Sequence, residues 1–129
     1  MAKTYTQIMD EARAVVPEVS PDEVQARLAG GGARPVLLDV REREEFRQGY
    51  VPGAVSLPRG FLEMRVEEAV PEKSQPVIAY CAGGTRSLLA GRILKELGYA
   101  NVVSMRGGFT AWKNKGLPIV EDRQFTPEQ

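Results

Sequence analysis

Four short apolar runs, 36–40, 54–57, 76–80 and 102–105, are separated by segments with the periodicity of amphipathic helices. This alternation constrains the fold more than any other feature of the chain. Runs of this length make strands and are too short for helices. Pro76-Val77-Ile78-Ala79-Tyr80 is apolar throughout, which predicts a central strand covered on both faces. Helices between strands return the chain so that each new strand runs in the same direction. The expectation is an α/β domain, with a mainly parallel central sheet and helices on both faces. A chain of 129 residues is long enough for one core, since domains near this size bury roughly 68–70% of their unfolded surface.

The helices carry their own signals. Thr4 to Val16 places Ile8, Ala12 and Val15 on one face, and Pro17 closes it. Ser20-Pro21-Asp22-Glu23 is a helix start: Ser20 caps, Pro21 suits the first turn and Glu23 completes a capping box. That helix runs to about Ala29 and stops at Gly30-Gly31-Gly32. Arg41 to Gln48 predicts a short surface helix anchored by Phe46, and Phe61 to Val70 a helix with Leu62, Val66 and Ala69 on one face. Ser87 to Leu97 predicts a strong helix with Leu89, Ile93, Leu94 and Leu97 inward, capped by Gly98. Gly107-Gly108 leads into a last short helix whose Phe109 and Trp112 belong to the core. The domain is expected over 18–120, with 1–17 as an N-terminal helical extension and 121–129 as a polar C-terminal tail.

Two counts restrict the chemistry. The chain has no histidine and one cysteine, Cys81. Ser-His-Asp and Cys-His catalysis are excluded, as are His-ligated metals, Cys-based zinc sites and a CxxC redox pair. No internal disulfide can form, and the N-terminal stretch has no apolar core of a signal peptide, so the cytoplasm is the expected location. Seventeen basic and seventeen acidic residues give zero net charge. That offers no bulk electrostatic case for nucleic acid or a membrane surface. The longest apolar run, Val77 to Ala82, falls far short of the ~20 residues that span a bilayer. No cofactor and no metal are expected.

In parallel α/β sheets, ligands bind beyond the carboxyl ends of the strands. The strand 76–80 ends at Cys81, and Ala82-Gly83-Gly84-Thr85-Arg86-Ser87 leads into the next helix. Two adjacent glycines permit positive φ angles, which turn successive N–H groups inward as an anion-binding nest. The helix N-terminus adds unpaired N–H groups and its dipole. Arg86 adds a cation. Cysteines in such settings ionise at about 3.5–7.5, against roughly 8.5 when free. The pattern predicts Cys81 as a nucleophile. A lone cysteine after an apolar strand can also be a small buried hydrophobe, but that role needs no arginine.

Three stretches resemble the rhodanese family of sulfurtransferases. Leu38-Asp39-Val40-Arg41 through Glu45-Phe46, Gly49-Tyr50-Val51-Pro52-Gly53-Ala54 is similar to the family's D-V-R…E-F…G-H-I-P-G-A segment, with Tyr50 where histidine is common. Cys81-Ala82-Gly83-Gly84-Thr85-Arg86-Ser87 resembles its active-site loop. Met105-Arg106-Gly107-Gly108-Phe109-Thr110-Ala111-Trp112 resembles its L-x-G-G-x-x-A-W segment. They occur in the family's order, between about Ser20 and Ile119.

The resemblance implies a rhodanese-like domain and a specific reaction. Cys81 takes the sulfane sulfur of thiosulfate or a similar donor, becomes a persulfide, and passes the sulfur to cyanide, a small thiol or a protein thiol. The protein acceptor would be a thioredoxin-like or other sulfur-relay protein. Ala82, Gly83, Gly84, Thr85, Arg86 and Ser87 would hold the persulfide, with Arg86 on the donor's anionic end. With a single cysteine, no internal thiol can resolve the persulfide, so the acceptor must be external.

Asp39 and Arg41 end the strand 36–40 on the same edge as Cys81. Either they support the loop, through an Asp39 hydrogen bond and the Arg41 charge, or they form a structural ion pair, with Arg41 on Glu45 at i, i+4. Thr85 and Ser87 either touch the loop anion or cap the helix; for Ser87 the cap is the expectation. Two other function classes compete. One is a binding or regulatory module on the same fold. The other is a cysteine phosphatase or arsenate reductase, whose Cys…Arg loop holds one residue more than the four here.

Overall fold

The computed structural model describes residues 2–121. The tail expected over 121–129 therefore lies outside the described residues, apart from Glu121. Helix α1 (Tyr5–Val15) leads to β1 (Glu18–Val19), α2 (Pro21–Ala29) and β2 (Val36–Asp39). Then come α3 (Arg43–Gln48), β3 (Val55–Ser56), a 3-10 turn (Arg59–Phe61) and α4 (Leu62–Ala69). Strand β4 (Val77–Tyr80), α5 (Thr85–Glu96), β5 (Val102–Met105) and α6 (Gly108–Asn114) complete the chain. The five strands form one parallel sheet in the order β1-β5-β4-β2-β3. The all-apolar β4 is central, as its composition predicts.

Alternate residues of each strand feed opposite faces, as the two-residue strand period requires. Leu38, Val77 and Val102 pack with Leu62 and Val66 of α4 and Ala90 and Leu94 of α5. Leu37, Ile78, Tyr80, Val103 and Met105 pack with Val24 of α2 and Phe109 and Trp112 of α6. Cys81 follows Val77 and Ala79 at the same parity and joins the α4/α5 cluster. Strand register thus aims its sulfur beneath the start of α5.

Three local expectations change. Strand β1 is additional to the four expected strands: its two residues pair with Ser104 and Met105, a run too short for any periodic signal. Helix α1 buries Met9, Ala12 and Val16, while Val15 is exposed, so the buried face is turned one residue from the expected one. Val16 packs so closely on Gly91 that a Cβ there would lie 2.8 Å from its Cγ1. Glycine at 91 lets α1 lie on α5, and Leu88 completes that contact. On α5, Leu88 and Leu94 are fully buried, while Leu89, Ile93 and Leu97 are only partly so.

Candidate active site

Cys81 is the first residue after β4 and is 1% exposed. Its Sγ accepts the Gly84 N–H at 3.1 Å and lies 3.6 Å from the Ser87 hydroxyl. Gly84 is the N-cap of α5, with φ +103, a left-handed value that side-chain-bearing residues rarely adopt. That conformation aims its N–H at the sulfur. Gly83 has no positive φ, is exposed, and has nothing within 4 Å of a notional Cβ. The expected pair of inverted glycines is therefore one, Gly84. A single inverted residue suffices because α5 begins immediately, at Thr85.

Ser87 does not cap the helix. Its hydroxyl meets the Gly84 carbonyl at 3.2 Å and the Ser104 hydroxyl of β5 at 2.7 Å, besides the sulfur. Both serines are fully buried. When sulfur carries the negative charge, the Ser87 O–H can turn to it while Ser104 donates behind. Gly84 takes the N-cap position and Ser87 is the third residue of α5, which leaves its hydroxyl free of the capping role. Thr85 is exposed and Ala82 half-buried.

A second glycine pair holds the loop from the other side. The Phe109 N–H donates to the Cys81 carbonyl at 2.8 Å, and the Thr110 N–H to the Ala82 carbonyl at 3.1 Å. Gly108, at φ +60, packs so tightly there that a Cβ would lie 2.6 Å from the Ala82 oxygen. Gly107-Gly108 thus lets α6 bond the loop directly. In the sequence this pair is marked only by its place before a short helix, which does not show that it meets the Cys81 loop.

Arg86 departs most from its expected place. Its guanidinium meets the Glu45 carboxylate of α3 at 2.8 and 3.1 Å, fork to fork. Glu45 also accepts the Glu42 N–H at 2.9 Å. The Arg86 hydrogen bonds hold the Glu45 carboxyl below its usual range. Reciprocally, the Glu45 hydrogen bonds, aided by the Glu45 charge, raise Arg86 further. The fork expected to grip a donor anion therefore braces the loop against α3.

Asp39 and Arg41 form the structural pair, but with each other and not with Glu45. Arg41 Nη2 lies 2.7 Å from Asp39 Oδ2 and 2.7 Å from the Gly49 carbonyl, and Arg41 Nε lies 3.0 Å from Asp39 Oδ1. Among the described residues no hydrogen bond joins Asp39 to the Cys81 loop; its carboxylate accepts the Arg41 N–H instead, at 3.0 Å. The guanidinium also lies 4.3 Å from the Phe109 ring centre. Burial disfavours the Arg41 charge, but the Asp39 bonds and charge outweigh it and raise the group. Burial, then the charge of Asp39, pushes the Tyr80 phenol up, so it stays protonated and accepts the Val51 N–H at 3.1 Å. A carboxylate two residues before an arginine at a strand end can close this ring locally, which is why it outcompetes the helical spacing to Glu45.

The arrangement offers one enclosed sulfur, a backbone donor, a hydroxyl relay and a loop clamped from two sides. It brings Cys81, Gly84 and Ser87 together, and leaves Gly83 and Thr85 facing outward. Among the described residues, no cluster of acids and cysteine could hold a metal, and no helix is long and apolar enough to cross a membrane.

Known proteins share this architecture. A sulfurtransferase of Allochromatium vinosum is 38% identical over 106 residues, covering 82% of this chain and 96% of that protein. The human thiosulfate:glutathione sulfurtransferase is 32% identical, covering 77% and 95%. Among solved structures, a thiosulfate sulfurtransferase from Pseudomonas aeruginosa superposes with a TM-score of 0.79 at 32% identity, covering 90% of this chain and 22% of that one. A Rhodopseudomonas palustris protein of unknown function, described as a possible tyrosine phosphatase, gives 0.81 at 30% identity, covering 93% and 96%. The model of the rhodanese-like domain matches residues 20–115, a span that holds the whole sheet except β1 together with the Cys81 loop, and this chain belongs to that family.

Proposed function

We propose that this chain is a sulfurtransferase that carries sulfur as a Cys81 persulfide. The observation that carries the reading is the environment of Sγ: the chain's one thiol, beneath a helix start, accepting the Gly84 N–H at 3.1 Å with the Ser87 hydroxyl at 3.6 Å. The names of the similar sulfurtransferases support it.

The Cys81 thiolate attacks the outer sulfur of thiosulfate. A Cys81 S–S bond forms, the donor's S–S bond breaks, and sulfite leaves with the bonding pair. An external thiolate or cyanide then attacks the outer sulfur of the persulfide, and the Cys81 thiolate is the leaving group. The balance closes without an oxidant or reductant. The Gly84 N–H and Ser87 O–H stabilise negative charge on the cysteine sulfur at the start of the first half-reaction and the end of the second, when it is a thiolate. Thiosulfate as donor and a small thiol, cyanide or sulfur-relay protein as acceptor are part of the proposal, as is a cytoplasmic setting. The enclosure of Cys81 favours a donor that presents one sulfur end-on.

A phosphatase has one point in its favour, the description of the similar Rhodopseudomonas palustris structure. Against it, the loop has four residues between Cys81 and Arg86, and the Arg86 fork is occupied by Glu45. The test is intact mass after incubation with thiosulfate. The wild type is expected to gain one sulfur atom that cyanide or dithiothreitol removes, and Cys81→Ser to gain none. A persulfide on the Ser variant, or none on the wild type with any sulfane donor, overturns the reading.

A further inference from the structure

The sheet edge beyond β3 carries a second feature that the sulfur chemistry does not use. A cleft of about 240 Å³ is lined by Arg43, Ser56, Leu57, Pro58, Phe61 and Arg65. Arg59 meets Glu63 at 2.9 Å, and Arg86 meets Glu45 at 2.8 Å. Arg43 and Arg65 are placed differently. Neither has an ion-pair partner among the described residues. The Arg65 guanidinium instead lies 5.2 Å from the Phe61 ring centre, which orients it without neutralising it. Glu68 lines the adjoining cleft with Arg65, but no ion pair joins them among the described residues.

Ser56 supplies the third observation. Among the described residues, its Oγ is the one buried side-chain polar atom without a hydrogen-bond partner. A hydroxyl shielded from water and left unpaired is a cost that native structures rarely carry without reason. Ser56 lines the cleft, and a rotation about its Cα–Cβ bond, a step between staggered wells, would turn its O–H toward a ligand there. Leu57 separates this cleft from the thiol: it lines the cleft and packs in the same cluster as Cys81.

We propose that this cleft binds a small tetrahedral dianion of the sulfate type, between the guanidiniums of Arg43 and Arg65 with the Ser56 hydroxyl donating. Guanidinium forks match oxyanions in shape and charge. The volume is below the ~300 Å³ at which organic-ligand pockets begin, which suits an ion with its waters. The site does not depend on the sulfur-transfer reading, because none of its three polar groups touches Cys81.

The test is calorimetric titration with sodium sulfate, with ionic strength held constant by chloride. Saturable binding is expected in the wild type and, undiminished, in Cys81→Ala. Arg43→Gln and Arg65→Gln are each expected to weaken it about tenfold, the loss of one charge-assisted contact. Ser56→Ala is expected to weaken it about threefold, the loss of a neutral one. Absence of saturable binding, or unchanged affinity in any of the three cleft variants, overturns the site as described. Loss of binding in Cys81→Ala assigns the ion to the thiol loop and overturns it equally. The persulfide mass shift is read separately, so either conclusion can fail alone.

Discussion

Arg86 and Glu45, 41 residues apart in sequence, face each other fork to fork at 2.8 and 3.1 Å. The pair ties the first turn of α5, which carries the Cys81 loop, to α3. Removing Arg86 therefore does two things at once: it unties the loop and leaves the Glu45 carboxylate uncompensated beside the Cys81 loop.

The first prediction separates these effects. Arg86→Ala is expected to lower kcat/KM for thiosulfate about tenfold, equivalent to ~1.4 kcal/mol of transition-state stabilisation. The double variant Arg86→Ala/Glu45→Ala is expected to recover part of that loss, because residues in direct contact are non-additive. Steady-state sulfur-transfer kinetics on the four members of the cycle decide it. Strict additivity means that Glu45 and Arg86 act independently.

The second prediction concerns pH. Arg86 holds Glu45 below its ordinary value of 4.5. A carboxyl lowered in the folded state contributes stability that is present above 4.5 and lost as pH falls through its folded value. Both side chains are 36% exposed, so the contribution is small, below about 1 kcal/mol. Urea unfolding from neutral pH into the acid range is expected to show a shallower acid loss for Glu45→Gln than for wild type. Parallel curves contradict the linkage.

The buried pair is a larger matter. Asp39 is 0% and Arg41 5% exposed. Asp39→Ala leaves a guanidinium buried without its counter-charge, for which about 3–5 kcal/mol is expected. Replacing both residues by apolar ones of similar volume is expected to restore much of that stability, although the Gly49 carbonyl loses its donor. Chemical denaturation measures both variants. A loss below ~1 kcal/mol for Asp39→Ala would place the pair among surface bridges.

The two loop glycines are expected to behave oppositely. Gly84→Ala forces a side chain into φ +103, with a Cβ 3.3 Å from the Gly107 nitrogen, so about 1–3 kcal/mol of strain is expected, together with a loss of sulfur transfer as the N–H turns from Sγ. Gly83→Ala meets nothing within 4 Å and is expected to retain stability and activity. Equal effects at the two positions would remove the special role of Gly84.

What the sequence determined by itself is what local interactions decide. The apolar alternation gives the α/β class, the central place of β4 and the position of Cys81 at its carboxyl end. Ser20 accepts the Glu23 N–H at 3.1 Å, which is half of the expected capping box; the Glu23 carboxylate accepts from Arg27 Nε at 3.0 Å instead of reaching back to the Ser20 N–H. Partner choice belongs to the tertiary structure. Helix α1 offers two adjacent apolar registers, Ile8/Val15 and Met9/Val16, and only the notch at Gly91 selects the second. Arg86 could have faced a donor or an acid; the docking of α3 beside α5 gives it Glu45. Ser87 could have capped α5, but β5 brings Ser104 to 2.7 Å from its hydroxyl. Helix and strand periods act over a few residues, whereas each of these contacts joins distant segments whose meeting depends on how the whole sheet is covered.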